Sequence, residues 1–352
     1  MNGEGNGNDN GSSPRSASRL YTDRSLKIDD LASLDSRMTE SLERARLAAT
    51  REDLEILIVG ETGTGKNLLA LAIHNESPRR AGPFVALNTG AVPESLIGSE
   101  LFGHEKGAFT GAHGERRGVL QMAHGGTLFL DELGNMRPEL QTALLTAVED
   151  RTFRRVGGSE EHKVDFRTIS ATNADLDGDI DAGAFRSDLY YRLCRVVIRV
   201  PPLRERRADI LPFARRFLAE ANEKYGCEVD GFTPECEERI LAYDWPGNVR
   251  LLRSAVSSAV SMSRATSIGW KDLAENLHPR SNAGTGNPLS PDGRIPPVTA
   301  SLALVERWHL ERAMEQGWSH TQAASLLGIS RRGLYDKLKR HGLDVGGASP
   351  EI

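Results

Sequence analysis

Cysteine is scarce in this chain of 352 residues, with only Cys194, Cys227 and Cys236 present. An odd, scattered set lacks the close paired spacing of a disulfide framework or a zinc site, and it suits a reducing compartment. Long apolar runs are also missing. None approaches the roughly 18 to 20 residues that a membrane-spanning helix needs, and the opening MNGEGNGNDNGSSPRSAS has no hydrophobic signal core. These absences argue against secretion and a membrane partner and point to a cytoplasmic protein. Positive charge is not in excess: the net charge is −5, so any contact with nucleic acid must come from a local basic patch. No internal repeat is visible. What is present, 39% hydrophobic and 26% charged residues, can bury at least one good-sized core and furnish two or three domains.

Composition divides the chain. Residues 1–24 open on Gly, Asn and Ser and read as a disordered tail, because so few apolar groups cannot offset the entropy of ordering. Residues 279–298, within PRSNAGTGNPLSPDGRIPPV, read as a flexible linker. Between them, the short apolar runs LEILIVG, PFVALN, GTLFLDE, FRTISATN and RVVIRVPP alternate with amphipathic helical stretches. That is the pattern of an α/β fold with a mainly parallel sheet covered by helices. Residues 299–352 carry no strand candidate and should form a helical unit.

The first chemical signal is ILIVGETGTGKNLLALAIH, in which an apolar strand runs into Gly60, Glu61, Thr62, Gly63, Thr64, Gly65, Lys66 and Asn67 and then a helix. Glycines let such a loop curl so that successive backbone N–H groups point at phosphate, and the helix N-terminus adds the positive end of its dipole. Lys66 then reaches the outer phosphates of ATP. The pattern expects Ser or Thr after the lysine to help hold Mg²⁺; here it is Asn67, so magnesium must lean on other ligands. GGTLFLDE supplies them, a buried-type strand ending in Asp131, placed to hold Mg²⁺, and Glu132, placed to polarise the attacking water. FRTISATN ends in Thr172 and Asn173, which either sense the terminal phosphate or close the strand in a polar turn.

The carboxyl-terminal SHTQAASLLGISRRGLYDKLKRHGL reads as two helices joined at Gly328 and Ile329, with Ala323, Ala324 and Leu327 inward in the first and Leu334 and Leu338 in the second. Small Ala324 permits a close crossing, as in a helix-turn-helix. Ser330, Arg331, Arg332 and Tyr335 lie near the start of the second helix, where bases or phosphates of duplex DNA would be met, while Lys337 and Lys339 would position the backbone.

The ordered series GETGTGKN, ESLIGSELFGHEKGAFTGA, GGTLFLDE, FRRVGG, ATN, FRSDLYYRL, PPLRERRADI and WPGNVR resembles the central AAA+ ATPase domain of bacterial enhancer-binding proteins, the activators of sigma-54 RNA polymerase. The resemblance implies a three-layer αβα subdomain over residues 25–201, a helical lid over 202–278, and ring assembly up to a hexamer with nucleotide held between subunits. It implies Asn88 as a switch restraining Glu132, Arg250 as a second sensor, and Arg186 and Arg192 as arginine fingers reaching a neighbour's nucleotide. Without it, those two arginines read as solvated charges or intrachain ion pairs. It also makes Gly107, Ala108, Phe109, Thr110, Gly111 and Ala112 the loop that grips sigma-54. The carboxyl-terminal unit resembles the Fis-type DNA-binding domain, and the helix expected over SLALVERWHLERAMEQG would pair two chains on an upstream palindromic site.

With about 35 residues ahead of the ATPase region, no attached receiver is expected, and regulation would fall to expression, a separate protein or a mixed oligomer. Asn67, Thr89 and Leu251 depart from the family pattern, so a DNA-binding regulator with a weak or partner-dependent ATPase is the alternative, beside another kind of AAA+ remodeller.

Overall fold

The protein is described here by a computed structural model that covers residues 18–21, 24–93, 95–275, 277, 310, 324, 330–341 and 343. Its amino-terminal unit ends at Leu277 and the second begins at His278.

All five apolar runs are strands. Phe84–Asn88, Gly126–Asp131, Phe166–Thr172, Ile56–Val59 and Val196–Arg199 lie side by side in that order, every pair parallel. Strands buried on both faces read as continuous hydrophobic runs, and alternation still decides which side chain enters which layer. Leu57, Val85, Leu87, Leu128 and Leu130 face one cluster with the helices Pro138–Glu149 and Ser187–Leu193. Ile56, Ile58, Phe84, Ala86, Phe129 and Ile169 face the other, built on Ser36–Ala49 and Lys66–Asn75. The result is the three-layer α/β arrangement.

A sixth strand was not anticipated. Ser18–Tyr21, inside the stretch expected to be a disordered tail, pairs antiparallel with Phe84–Asn88. An edge strand presents a row of unpaired N–H and C=O groups, and a short extended segment satisfies them whatever its composition.

Residues 203–277 form their own core, with helices Ile210–Tyr225, Pro234–Ala242, Asn248–Met262 and Trp270–Ala274. Trp245 is fully buried at its centre and donates its indole N–H to the Ile240 carbonyl at 2.8 Å. The lid is not wholly helical: Gly231–Phe232 and Ser267–Ile268 form a short parallel pair. In the second unit, the helix Arg331–Arg340 buries Leu334 and Leu338, and Ala324 and Leu310 are buried as well. The linker, the helix expected over 301–317 apart from Leu310, and Ala323, Leu327, Gly328 and Ile329 lie outside the described residues. Among the described residues no helix is long and apolar enough to cross a membrane.

Candidate functional site

Because the five strands are parallel, their carboxyl ends share one edge, and that edge collects the polar residues singled out in the sequence. Val59 is in register with Thr172, and Asn88 with Asp131, so the phosphate loop, the acidic pair and Asn173 leave the sheet together.

The loop 60–65 turns sharply into the helix that starts at Lys66. Gly63 and Gly65 have φ of 84° and 103°, the left-handed region that a side chain disfavours. At Gly63 a Cβ would also come within 2.3 Å of the Gly247 carbonyl, so the lid approaches the loop backbone directly. Lys66 curls over the loop and donates to the Gly60 carbonyl at 2.6 Å and the Glu61 carbonyl at 3.1 Å. Burial pushes its ammonium below the ordinary lysine value, while Asp131 and Glu132 pull it back up. One field thus joins the two sequence motifs.

Asp131 ends its strand nearly buried. Glu132 follows with φ of 58° and ψ of 43°, a left-handed backbone unusual for glutamate. The turn is fixed by Thr89, whose hydroxyl donates to the carbonyls of Glu132 at 2.6 Å and Asp131 at 3.1 Å, and by the Glu132 N–H on Asp131 Oδ1 at 3.0 Å. Asn88 does not hold Glu132 in this conformation. Its amide approaches Asp131 Oδ2 at 3.4 Å and its oxygen accepts the Ala91 N–H at 3.0 Å; the Glu132 carboxylate points toward Asn135 Nδ2 at 3.5 Å. Asn173 donates to Thr62 Oγ1 at 3.2 Å, which sets it against the phosphate loop. Asn67 is half-buried in the first turn of the loop's helix.

These residues fit a magnesium nucleotide. The N–H groups of Gly63 and Gly65 have no protein acceptor among the described residues, as a phosphate cradle requires. Among the described residues there is no cluster of three His, Cys, Asp or Glu side chains able to cage a metal. A near-buried Asp131 beside the loop instead suits a cation that takes most of its ligands from water and phosphate.

The lid closes over this edge. Arg204 grips Glu61 with two bonds of 2.6 and 2.8 Å, Arg206 donates to the Thr64 carbonyl at 3.0 Å, and the Arg250 backbone N–H donates to the Gly63 carbonyl at 3.2 Å. Sequence reasoning placed Arg250 here but gave Arg204, Arg206 and Asn248 no role. Their signal was the unbroken PPLRERRADI and WPGNVR strings, whose polar residues sit inside otherwise apolar lid segments.

Arg186 and Arg192 are not at their own chain's phosphate loop. Arg186 makes a two-point ion pair with Asp188 at 2.6 and 3.0 Å. Arg192 pairs with buried Glu55 at 2.9 Å, at the amino end of the strand whose carboxyl end leads to Gly60.

The 107–112 loop rises between two short paired strands, Gly103–His104 and Arg116–Arg117. Gly107 and Gly111 have φ of 83° and 106°, and nothing lies within 4 Å of where their side chains would be. Thr110 is exposed and Phe109 is 38% exposed, its ring edge-on to buried His104 at 5.0 Å. Ala112, expected to share the contact surface, is buried and anchors the loop; its carbonyl accepts the Gly107 N–H at 2.9 Å. Arg155 in FRRVGG ion-pairs with Glu105 at 3.0 Å and with Glu115, one acid on each side of the loop.

In the second unit Ser330 is the helix N-cap: its hydroxyl accepts the Gly333 N–H at 3.0 Å, which makes it a structural group before a DNA contact. Lys339 and Arg340 are exposed, and Tyr335 and Lys337 half-buried. The side chains of Arg331 and Arg332 lie outside the described residues.

A glycine loop between strand and helix, an acidic strand end beside it and a helical lid docked on the loop define an AAA+ ATPase-type nucleotide domain. The comparisons with known proteins agree. Residues 31–199 match the sigma-54 interaction domain, 204–288 the AAA+ ATPase lid domain, and 301–341 the bacterial regulatory protein, Fis family. The transcriptional regulatory protein ZraR of Escherichia coli (strain K12) is 45% identical over 304 residues, 86% of this chain and 67% of that protein. The DNA-binding transcriptional regulator NtrC of Salmonella typhimurium is 42% identical over 312 residues, 84% of this chain and 66% of that protein. The crystal structure of NtrX from Brucella abortus in complex with ATP has a TM-score of 0.65 at 32% identity, covering 90% of this chain and 71% of that one. The chain belongs to the sigma-54-dependent transcriptional activator family, with a Fis-type helix-turn-helix. It spans about two thirds of the length of the curated relatives it matches.

Proposed function

We propose that the protein binds upstream duplex DNA through residues 299–352, assembles into a ring, and uses ATP hydrolysis to remodel the closed promoter complex of sigma-54 RNA polymerase. The observation that carries this reading is one chain holding both a phosphate loop with an acidic partner and a glycine-bounded loop that exposes Phe109 and Thr110.

A bound Mg²⁺ would supply charge neutralisation on the transferring phosphoryl group, with Asp131 its protein ligand, directly or through water. Lys66 exchanges the carbonyls of Gly60 and Glu61 for phosphate oxygens. Glu132, already turned out of the sheet by its left-handed backbone, takes a proton from the attacking water. Asn173 reports on the terminal phosphate through its place beside Thr62. Arg186 and Arg192 leave their intrachain acids and act on a neighbouring subunit's nucleotide, where a trans arginine contributes about 10³ to 10⁵ in rate. The ion pairs seen here fit that role, since both guanidiniums pair with acids away from their own phosphate loop. Movement of the loop edge lifts Phe109 from His104 and offers it, with Thr110, to sigma-54.

The test is open-complex formation on a sigma-54 promoter with ATP. Wild type is expected to form heparin-resistant complexes, and Thr110→Ala and Glu132→Ala to form none. Full activity of Glu132→Ala would favour instead a DNA-binding regulator that works by occupancy.

A further inference from the structure

The backbone carbonyls of residues 60–64 are all engaged within the chain. Lys66 occupies the carbonyls of residues 60 and 61; the next three are taken by the lid. Asn248 Nδ2 donates to the Thr62 carbonyl at 3.1 Å, the Arg250 N–H to that of Gly63 at 3.2 Å, and Arg206 Nη2 to that of Thr64 at 3.0 Å. A peptide group is planar and trans, so a carbonyl turned outward turns the following N–H inward. Holding the Thr62 and Thr64 carbonyls therefore aims the N–H groups of Gly63 and Gly65 into the cradle; neither has a protein acceptor among the described residues, whereas the Thr64 N–H between them donates to the Glu61 carbonyl at 3.4 Å.

Asn248 is the centre of this clasp. It is fully buried, with φ of 51°, a left-handed backbone that asparagine adopts more readily than most residues. Its oxygen accepts the Leu203 N–H at 2.7 Å, and its amide also donates to Glu61 Oε2 at 3.1 Å. Glu61 is gripped in turn by Arg204, whose guanidinium holds the carboxyl below the usual glutamate range.

We infer that Asn248 and Glu61 are positioning residues: together they hold the loop in its phosphate-binding shape from the lid side. This rests on the reading of the loop as an ATP site and adds two positioning residues to that site. The clasp does not touch the reacting atoms; it acts through the orientation of two peptide groups.

The experiment compares full-length wild type, Asn248→Ala, Glu61→Gln and the double variant by ATP binding at equilibrium and by hydrogen exchange over residues 61–66. Asn248→Ala is expected to weaken ATP binding about tenfold, the size of one lost buried hydrogen bond, and to speed exchange at Gly63 and Gly65. Glu61→Gln, which keeps the acceptor and removes the charge, should move both readouts the same way by less. The double variant should fall short of the product of the two. Fluorescence of buried Trp245 reports whether the lid stays folded; if Asn248→Ala loosens it, Glu61→Gln carries the decision. Unchanged ATP affinity and exchange in Glu61→Gln, or in Asn248→Ala with Trp245 unchanged, overturns the inference. If wild type binds no ATP, the nucleotide reading fails, and hydrogen exchange alone then decides whether the clasp shapes the loop.

Discussion

Glu132 carries the sharpest chemical assignment at the scale of single residues, and its backbone shows why adjacency to Asp131 in sequence does not mean a shared job. Asp131 stays in the strand, nearly buried, while a left-handed turn swings Glu132 outward. Glu132→Gln is expected to bind ATP with near wild-type affinity and to hydrolyse it at least about a hundredfold more slowly, the lower bound for loss of a general base; single-turnover assays check this. His74 makes a prediction of another kind. It is buried against Phe84 and hydrogen-bonded to Thr127 at 2.8 Å, and burial, with Arg167 and Arg24 nearby, lowers its pKa from 6.5 to about 4. The folded state keeps it neutral while the unfolded chain takes up a proton near 6.5, so stability falls as pH drops from 6.5 toward 4. The loss attributable to His74 is about 3 kcal/mol, and denaturant titrations at a series of pH values measure it. His74→Asn should flatten that dependence.

Elements were legible in the sequence to different depths. The five parallel strands could be read because strands buried on both faces are continuous apolar runs, and the phosphate loop because its glycines sit between such a strand and a helix. Ser18–Tyr21 could not be read, because an edge strand is chosen by the unpaired backbone beside it and not by its own apolar content. The pairing of Asn88 with Asp131 in place of Glu132 was equally hidden, being a matter of side-chain rotation at a strand end. The 107–112 loop was visible from its glycines; that Ala112 is buried and Phe109 rests on His104 required the fold. Gly107→Ala or Gly111→Ala forces a side chain into a left-handed backbone at about 1 to 2 kcal/mol. Either variant should keep ATP hydrolysis and lose retention of sigma-54, which parallel turnover and pull-down assays would show. In the second unit, Ser330→Ala removes the cap of Arg331–Arg340 and should cost that helix about 1 kcal/mol. Its expected sign is weaker shift of duplex DNA in gels with hydrolysis unchanged.

For the whole molecule, the question is whether the site is complete within one chain. Arg186 and Arg192 are tied to Asp188 and Glu55, and no described contact links either to residues 60–66. If a neighbour supplies the arginine, Lys66→Ala and Arg186→Ala chains, each inactive alone, should regain part of the ATPase when mixed, because one seam in the mixture joins an intact loop to an intact arginine. Equal inactivity before and after mixing would place the arginines in a purely structural role. The link from that seam to the promoter is tested most directly by the nucleotide dependence of sigma-54 binding. Purified full-length protein should retain sigma-54 when loaded with ADP and aluminium fluoride, release it with ADP, and fail to retain it in either state once Phe109 is replaced by alanine. Retention that ignores both the nucleotide and Phe109 would contradict a loop driven by ATP.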